Sequence, residues 1–250
     1  MAEPAAAPSV LLAGSFKHDN AVLFSDLTLP LNASQWTCLL GASGVGKSTV
    51  LRLLAGLPAG GRFTGRIECD DDVPLSGRVA FMAQSDLLSP WLSVRDNISI
   101  GARLRGEPIE QTRVDKIIAS VGLASHALKR PAQLSGGMRQ RAALARTLML
   151  DCPVVLLDEP FSALDARTRA EMQELSFELL AGRTVLLVTH DPAEAARLGH
   201  RIYLLTPDGL TNVEAPGTAP IRAIDDFDML KRQAALLQLL RHGQSEIAAE

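Results

Sequence analysis

The sequence predicts an α/β fold in which a mixed, mainly parallel β-sheet is joined by an antiparallel β layer and a helical subdomain. The parallel sheet is indicated by short apolar runs rich in Val, Leu and Ile, because strands buried on both faces lack polar alternation. These runs are 36–40, 153–157 and 184–189. A helix after the first run is indicated by apolar residues at i, i+3, i+4 and i+7 within 50–57, directly before Pro58.

The antiparallel layer is predicted from segments that are separated by clusters of Gly, Pro, Asn and Asp. These segments are 10–16, 21–31, 61–69 and 77–83. From residue 91 to about 135 the pattern becomes mostly helical, and Ser93 followed three residues later by Asp96 is a capping arrangement before Ile98. This stretch is the predicted helical subdomain.

The same elements predict one main domain, 10–205, with the helical subdomain inserted at about 90–135. A flexible N-terminal tail, 1–9, precedes the domain, and a short extension with one helix, 206–250, follows it. The helix of the extension is indicated by apolar residues at helical spacing, which either pack against the domain or contact a partner. They are Phe227, Leu230, Ala234 and Leu237.

The composition narrows the class of protein. Of 250 residues, 47 % are hydrophobic and 21 % are charged, as in globular domains, and the net charge of −3 gives no basic footprint for nucleic acid. Three scattered cysteines without CxxC spacing predict neither disulfides nor zinc and fit a reducing cytosol. The first residues lack a signal-peptide pattern, and no apolar run reaches the about 20 residues that span a bilayer. We therefore expect a protein that is not exported and acts outside the lipid.

A phosphate-binding loop is predicted at Gly41-Ala-Ser-Gly-Val-Gly-Lys-Ser48, which follows an apolar strand and opens a helix. A glycine-rich loop between a strand and a helix is the structural context of the P-loop of nucleoside triphosphatases. The glycines let backbone N–H groups and the helix N-terminus face the phosphates. Lys47 is expected on the β- and γ-phosphates, and the Ser48 hydroxyl on Mg²⁺. The alternative is a glycine-rich turn that binds nothing.

Two acids, Asp158 and Glu159, follow the apolar run at 153–157, at the end of a strand where open α/β sheets bind ligands. Asp158 is suited to hold Mg²⁺ through its water shell, and Glu159 to activate the attacking water as a general base. On their own, such acids could also begin a turn or cap a helix.

Further motifs lie on either side of these acids. Leu134-Ser-Gly-Gly-Met-Arg-Gln-Arg141 precedes them, and Ser162-Ala-Leu-Asp165 follows. With the P-loop, these motifs resemble the ATP-binding cassette (ABC) family over roughly 10–203. The resemblance implies the ABC ATPase fold, binding of ATP and Mg²⁺, ATP hydrolysis, and a head-to-tail homodimer with two shared sites.

The resemblance also implies roles for single residues. Ser135 and Gly137 open a helix whose N-terminus can receive an anion, which in the family is the γ-phosphate held by the opposite subunit. Gln84 is assigned to Mg²⁺ and the attacking water, and His190 to the γ-phosphate. Phe16 is assigned to stacking on adenine, where the family more often has Tyr, and a core Phe is the alternative.

The predicted site is therefore spread along the chain. Its catalytic residues are Glu159, His190 and Gln84; its ATP-binding residues are Phe16, Gly41, Ala42, Ser43, Gly44, Val45, Gly46, Lys47, Ser48, Thr49, Ser135 and Gly137; its Mg²⁺ ligands are Ser48, Gln84 and Asp158. Asp165, Asp191 and Glu194 are predicted to cap helices, and the resemblance places Asp165 at the dimer interface as well.

The partners implied are integral-membrane permease subunits and, indirectly, an external substrate-binding protein. The permease is expected to contact Gln84–Asn97, with Trp91 as a candidate, although Trp91 could equally pack inside the subdomain. The chain would lie peripherally on the cytoplasmic face of the inner (plasma) membrane. The motifs at 90–97 and 134–141 resemble those of importers of nitrate, sulfonates, taurine and thiamine-precursor pyrimidines. Exporters and non-transport cassette proteins are the alternatives.

Overall fold

A computed structural model describes residues 7–19 and 21–245, and within them the chain divides into two compact units. The first unit is formed by the described parts of Met1–Val79, Pro153–Asp158 and Gly182–Glu250. The second is formed by Ala80–Cys152 and Glu159–Ala181, which is more of the chain than the predicted insertion. Across the described residues, the helices are too short or too polar to cross a bilayer.

The regular elements of the described residues are numbered in chain order. The strands are β1 (Val10–His18), β2 (Ala21–Leu31), β3 (Trp36–Gly41), β4 (Arg62–Cys69), β5 (Val79–Met82), β6 (Val154–Asp158), β7 (Thr184–Thr189), β8 (Arg201–Thr206) and β9 (Gly209–Val213). The helices are α1 (Lys47–Leu54), α2 (Val94–Ile98), α3 (Ile100–Arg105), α4 (Gln111–Ser120), α5 (Gly136–Met149), α6 (Ala166–Leu179), α7 (Pro192–Leu198) and α8 (Phe227–Ser245).

The antiparallel layer belongs to the first unit and has the strand order β2-β1-β4. Val10 pairs with Leu31 of β2 on one side and with Cys69 of β4 on the other. Three of the four predicted antiparallel segments are thus confirmed. The fourth, 77–83, forms β5, which is not a strand of this sheet, so that part of the prediction is wrong.

The main sheet of the first unit has β6, β7, β3 and β8 side by side and parallel, with β9 antiparallel to β8. Every residue of β3 and β7 is buried, which confirms the apolar runs as strands covered on both faces. Because the four strands are parallel, their carboxyl ends meet at one edge of the sheet.

The C-terminal helix α8 packs against α7 through a face that its sequence pattern did not indicate. Met229 and Leu236 are buried, whereas Phe227, Leu230 and Leu237 are exposed. Both sets of residues recur at helical spacing, so the pattern alone could not tell which face packs. The predicted apolar face is therefore the solvent-exposed one.

A buried arginine fixes the segment before α8 to the end of α7. The guanidinium of Arg222 donates to the carbonyl oxygens of Ala196 and Gly199 at 2.7 and 2.9 Å, and its Nε donates to Thr218 O at 2.8 Å. The last carbonyl groups of a helix have no partner within it, and here Arg222 supplies hydrogen bonds to that end of α7. The segment after β9 is thus part of the first unit's core.

The second unit is built around α5, against which α2, α4 and α6 pack. Ser93 accepts a hydrogen bond from the backbone N of Asp96 at 3.2 Å, which confirms the predicted cap of α2. Buried Asn97 accepts from Ser89 N at 2.7 Å and donates to Leu92 O at 3.2 Å. These bonds order the loop that leads into α2.

Candidate functional site

Three segments of the predicted site lie at one edge of the main sheet, because the strands that carry them are neighbours. Asp158 ends β6, His190 follows β7, and the P-loop follows β3, and these strands are adjacent in the order β6-β7-β3. The register pairs Asp158 with Val188 and Leu40 with Thr189, so the strands end at nearly the same level. The carboxyl edge of a parallel sheet is where such folds bind ligands.

The P-loop adopts a backbone that needs glycine at two positions. Gly44 and Gly46 have φ values of 87° and 105°, in the left-handed region that L side chains rarely adopt. A Cβ on Gly46 would also lie 3.1 Å from the side chain of Leu23 on β2. The loop ends at Gly46, the N-cap of α1, so the first amides of α1 and its positive dipole end face the loop. Such a loop is a ready-made anion site.

Lys47 is buried at the start of α1 and turned back over the loop. Its Nζ donates to the carbonyl oxygens of Gly41 and Ala42, both at 2.7 Å. Loop carbonyls thus hold the ammonium where the P-loop encloses an anion. A phosphate oxygen would offer the same group a stronger, charge-assisted partner.

Oxygen donors suited to Mg²⁺ occur at the same edge. Ser48 stands exposed in the first turn of α1, and Asp158 is half-buried at the end of β6. In the described part of the chain, no three or more His, Cys, Asp and Glu side chains are grouped so that they alone could hold a metal ion. Mg²⁺ is usually bound by one or two protein oxygens together with waters and substrate phosphates, so this donor set fits it.

In the second unit, two of the predicted catalytic residues are in contact. Nε2 of Gln84 donates to Oε2 of Glu159 at 3.1 Å. Glu159 has φ of 45°, an uncommon left-handed backbone for a residue with a side chain. Such strain in a loop is a feature that clusters at functional sites. The turn is held by Ser162, whose hydroxyl donates to Glu159 O at 3.0 Å.

The N-terminus of α5 presents Ser135 to solvent. Ser135 is the N-cap, and its Oγ accepts from Met138 N at 3.3 Å. A Cβ on Gly137 would lie 2.5 Å from the Thr168 methyl group, so glycine there permits the close approach of α6. Asp165 caps α6 by accepting from Thr168 N at 3.0 Å, as predicted, and this bond lowers the pKa of its carboxyl.

Phe16 is a core residue of the first unit. It is 1 % exposed and stacks on Phe24 with ring centroids 5.9 Å apart, which favours the core interpretation over stacking on adenine. Two residues later, His18 is exposed at the end of β1 and pairs with Ala21 of β2. Leu23 and Phe24 on β2, the strand that pairs with β1, lie 3.1 and 3.5 Å from a Cβ built on Gly46, so this part of β2 lies against the P-loop.

The loop after Gln84 is held by two arginines of α5, which the sequence analysis did not single out. Arg139 Nε donates to the Asp86 carboxylate at 3.0 Å, and Arg146 donates to Asp86 O and Leu87 O at 2.8 and 2.7 Å. Trp91, in the same loop, is 70 % exposed, so it does not pack inside the second unit. Arg146 also lines a cavity of about 530 Å³ in this unit, together with Phe81, Ile98, Arg105, Arg113 and Leu150.

The comparisons with known proteins agree with these motifs. The family model described as ABC transporter matches residues 24–162. A Haemophilus influenzae protein named as an uncharacterized ABC transporter ATP-binding protein is 45 % identical over 90 % of the chain and 95 % of its own length. The aliphatic sulfonates import ATP-binding protein SsuB of Escherichia coli is 40 % identical over 96 % and 93 %, and an SsuB 2 of Agrobacterium fabrum is 46 % identical over 75 % and 71 %.

Proposed function

The chain belongs to the ABC transporter family as an ATP-binding subunit, a type of subunit that hydrolyses ATP, and we propose that two copies of it act as a head-to-tail dimer. In this proposal the dimer drives the uptake of a small organic anion through separate permease subunits. The observation that carries this proposal is the shared carboxyl edge of β6, β7 and β3, at which the P-loop, Asp158 and His190 meet. Ser135, exposed at the start of α5, would contact the γ-phosphate that the second copy binds.

In this proposal the first unit binds the nucleotide phosphates. Backbone N–H groups of 41–49 and the N-terminus of α1 surround them, and Lys47 exchanges its loop carbonyls for phosphate oxygens. Ser48 and Asp158 would hold Mg²⁺, with Gln84 as a further oxygen donor. When bound, this ion offsets the charge that develops on the transferred phosphoryl group.

Glu159 accepts a proton from the attacking water as a general base. Gln84 orients that carboxylate through the 3.1 Å bond from its amide nitrogen. His190 donates a hydrogen bond to the γ-phosphate. Ser135 and the first amides of α5 bind the same phosphate from the opposite copy, so hydrolysis requires that the dimer closes.

We propose that the adenine base stacks on exposed His18 instead of Phe16. With stacking worth at least about 1 kcal/mol per base, His18→Ala should raise the KM for ATP about fivefold while kcat is unchanged. Steady-state hydrolysis measured over a range of ATP concentrations checks this. His126→Ala, in the second unit, is the matched control, and an unchanged KM in His18→Ala would contradict the assignment.

The permease contact is proposed at Trp91 and at the cavity that Arg146 lines. Trp91 is an exposed aromatic side chain on a loop whose backbone is ordered by Asn97, Arg139 and Arg146, and a large side chain held in this way is typical of interaction hot spots. The cavity combines apolar walls with charges of both signs, because Glu107 and Glu110 line it together with Arg105 and Arg113. A short helix with apolar and polar faces suits such a lining.

The cargo class is proposed to be an aliphatic sulfonate, because relatives that cover nearly all of the chain are named for the import of these compounds. Those names favour import over export. A strain that lacks this chain should then grow on sulfate but not on an alkanesulfonate as sole sulfur source. Normal growth on the alkanesulfonate would contradict the cargo class and leave the ATPase assignment untouched.

In the same assay, Trp91→Ala should abolish growth on the alkanesulfonate while the purified chain keeps its ATP hydrolysis, because only the permease contact is lost. Val73→Ala removes an exposed apolar side chain from the first unit and is the matched control. Full growth of the Trp91→Ala strain would contradict the proposed contact.

A further inference from the structure

The residues on either side of His190 are joined by a hydrogen bond through the hydroxyl group of Thr189. Oγ1 of Thr189 accepts a hydrogen bond from the backbone N of Asp191 at 3.0 Å. The same oxygen donates to Oε2 of Glu194 at 2.6 Å. The chain therefore forms a closed turn around His190, with its ends tied by Thr189.

The direction of these bonds follows from the donors available. A backbone N–H can only donate, so Thr189 accepts from Asp191. An ionised carboxylate can only accept, so the one hydrogen of the hydroxyl goes to Glu194. A carboxylate acceptor makes this the stronger kind of hydrogen bond, in keeping with its short length. Glu194 thus keeps the hydroxyl rotated so that its lone pair faces the Asp191 amide.

Both ends of this network are fixed in the core of the first unit. Thr189 is 1 % exposed at the end of β7, and Glu194 is 3 % exposed in the first turn of α7. Asp191 accepts from Ala193 N at 2.8 Å, which confirms it as the N-cap. Glu194, also predicted to cap, accepts the hydrogen bond from Thr189. The negative charge of Glu194 also reaches β3, since it adds to burial in raising the pKa of the Cys38 thiol.

We infer that Thr189 and Glu194 are positioning residues for hydrolysis, which hold the His190 backbone at the γ-phosphate by tying the residues before and after it. This inference rests on the role proposed above for His190. A purely structural network would stabilise α7 without affecting the chemical step. Measurement of kcat distinguishes a positioning role from a purely structural one. An error of about 1 Å in the placement of a reacting group can lower the rate about a hundredfold.

The test uses variants that remove the network and variants that keep it. Thr189→Val preserves shape and loses the hydroxyl, and Glu194→Ala loses the acceptor; each should lower kcat about ten- to a hundredfold with KM for ATP changed less than about twofold. Thr189→Ser and Glu194→Gln keep a hydroxyl and an acceptor oxygen and should recover most of the rate.

Thr184→Val is the matched control, since Thr184 is a buried hydroxyl at the opposite end of β7 that donates to Pro8 O at 2.7 Å. It should lower the melting temperature and leave kcat unchanged. The double variant Thr189→Val with Glu194→Ala should be no slower than the worse single variant, because residues of one network are not additive.

The inference is overturned if Thr189→Val keeps kcat within about twofold of the unaltered chain, if Thr184→Val lowers kcat equally, or if the two effects multiply. His190→Ala separates this failure from that of the proposed function. If His190→Ala still hydrolyses ATP, the role of His190 fails and the inference fails with it. If His190→Ala is inactive while Thr189→Val is active, only the positioning network is wrong.

Discussion

Glu159→Gln should retain ATP binding and lower steady-state ATP turnover by at least about a hundredfold, because an amide cannot accept the proton of the attacking water. With hydrolysis blocked, the ATP-bound dimer should accumulate and elute as such in size-exclusion chromatography with ATP and Mg²⁺. The substitution keeps the size of the side chain and the 3.1 Å contact distance to Gln84, so the fold should be unaffected.

Glu178→Gln is the control for the loss of one negative charge, since Glu178 is an exposed carboxylate on α6 in the same unit. Its turnover should equal that of the unaltered chain. Turnover of Glu159→Gln within about tenfold of normal would show that another group activates the water, since general-base catalysis is worth about a hundredfold or more.

Ser135→Arg should abolish hydrolysis while each chain still binds ATP with normal affinity. Ser135 is exposed at the N-terminus of α5, where the proposed dimer receives the γ-phosphate of the other copy, and a long cationic side chain blocks that approach. Loss of the donors around a developing anion costs about a hundred- to a thousandfold in rate. Combined with Glu159→Gln, the substitution should also remove the ATP-bound dimer.

Two controls isolate the effect of bulk at this position. Ser135→Ala removes the hydroxyl, which is both the N-cap and a proposed phosphate ligand, without adding bulk, and should cost about 1 kcal/mol of stability. Because the first amides of α5 remain, it should hydrolyse ATP faster than Ser135→Arg. Ser120→Arg places the same side chain at an exposed position at the end of α4 and should leave hydrolysis unchanged. Hydrolysis by Ser135→Arg at the unaltered rate would contradict the shared site.

The strands of the main sheet could be predicted because burial on both faces leaves a run such as β7 without polar residues. The sheet to which β5 belongs could not be predicted, because the pairing of a strand depends on contacts with residues that are distant in the sequence. The packed face of α8 could not be predicted either. Both Met229 with Leu236 and Phe227 with Leu230 form apolar sets at helical spacing, and only the tertiary fold decides between them.

The P-loop could be predicted because its chemistry is local, being a property of glycine backbone and a helix start. Phe16 could not be placed, because β1 has register shifts between Gly14 and Phe16 and again between Phe16 and Lys17. At a bulge the alternation of inward and outward residues is broken, so the sequence pattern does not show which ring faces outward. The hydrogen bond from Thr189 to Glu194 could not be predicted for another reason. A Glu in the first turn of a helix is already explained as a helix cap, so the sequence does not indicate a second partner.

The buried arginine at 222 bears on where this protein can be cut or labelled. Its four hydrogen bonds join the end of α7 to the segment after β9, because two of the acceptors are carbonyl oxygens at 196 and 199 and two are carbonyl oxygens at 216 and 218. The segment after β9 is therefore a structural part of the first unit. Further along, Leu239 and Leu240 line a small cavity together with Ala42 and Val45 of the P-loop. A truncation near the predicted domain end at 205 would therefore strip support from the nucleotide site. A fluorescent tag or protease site is better placed in the exposed turn at 70–72 than in α8.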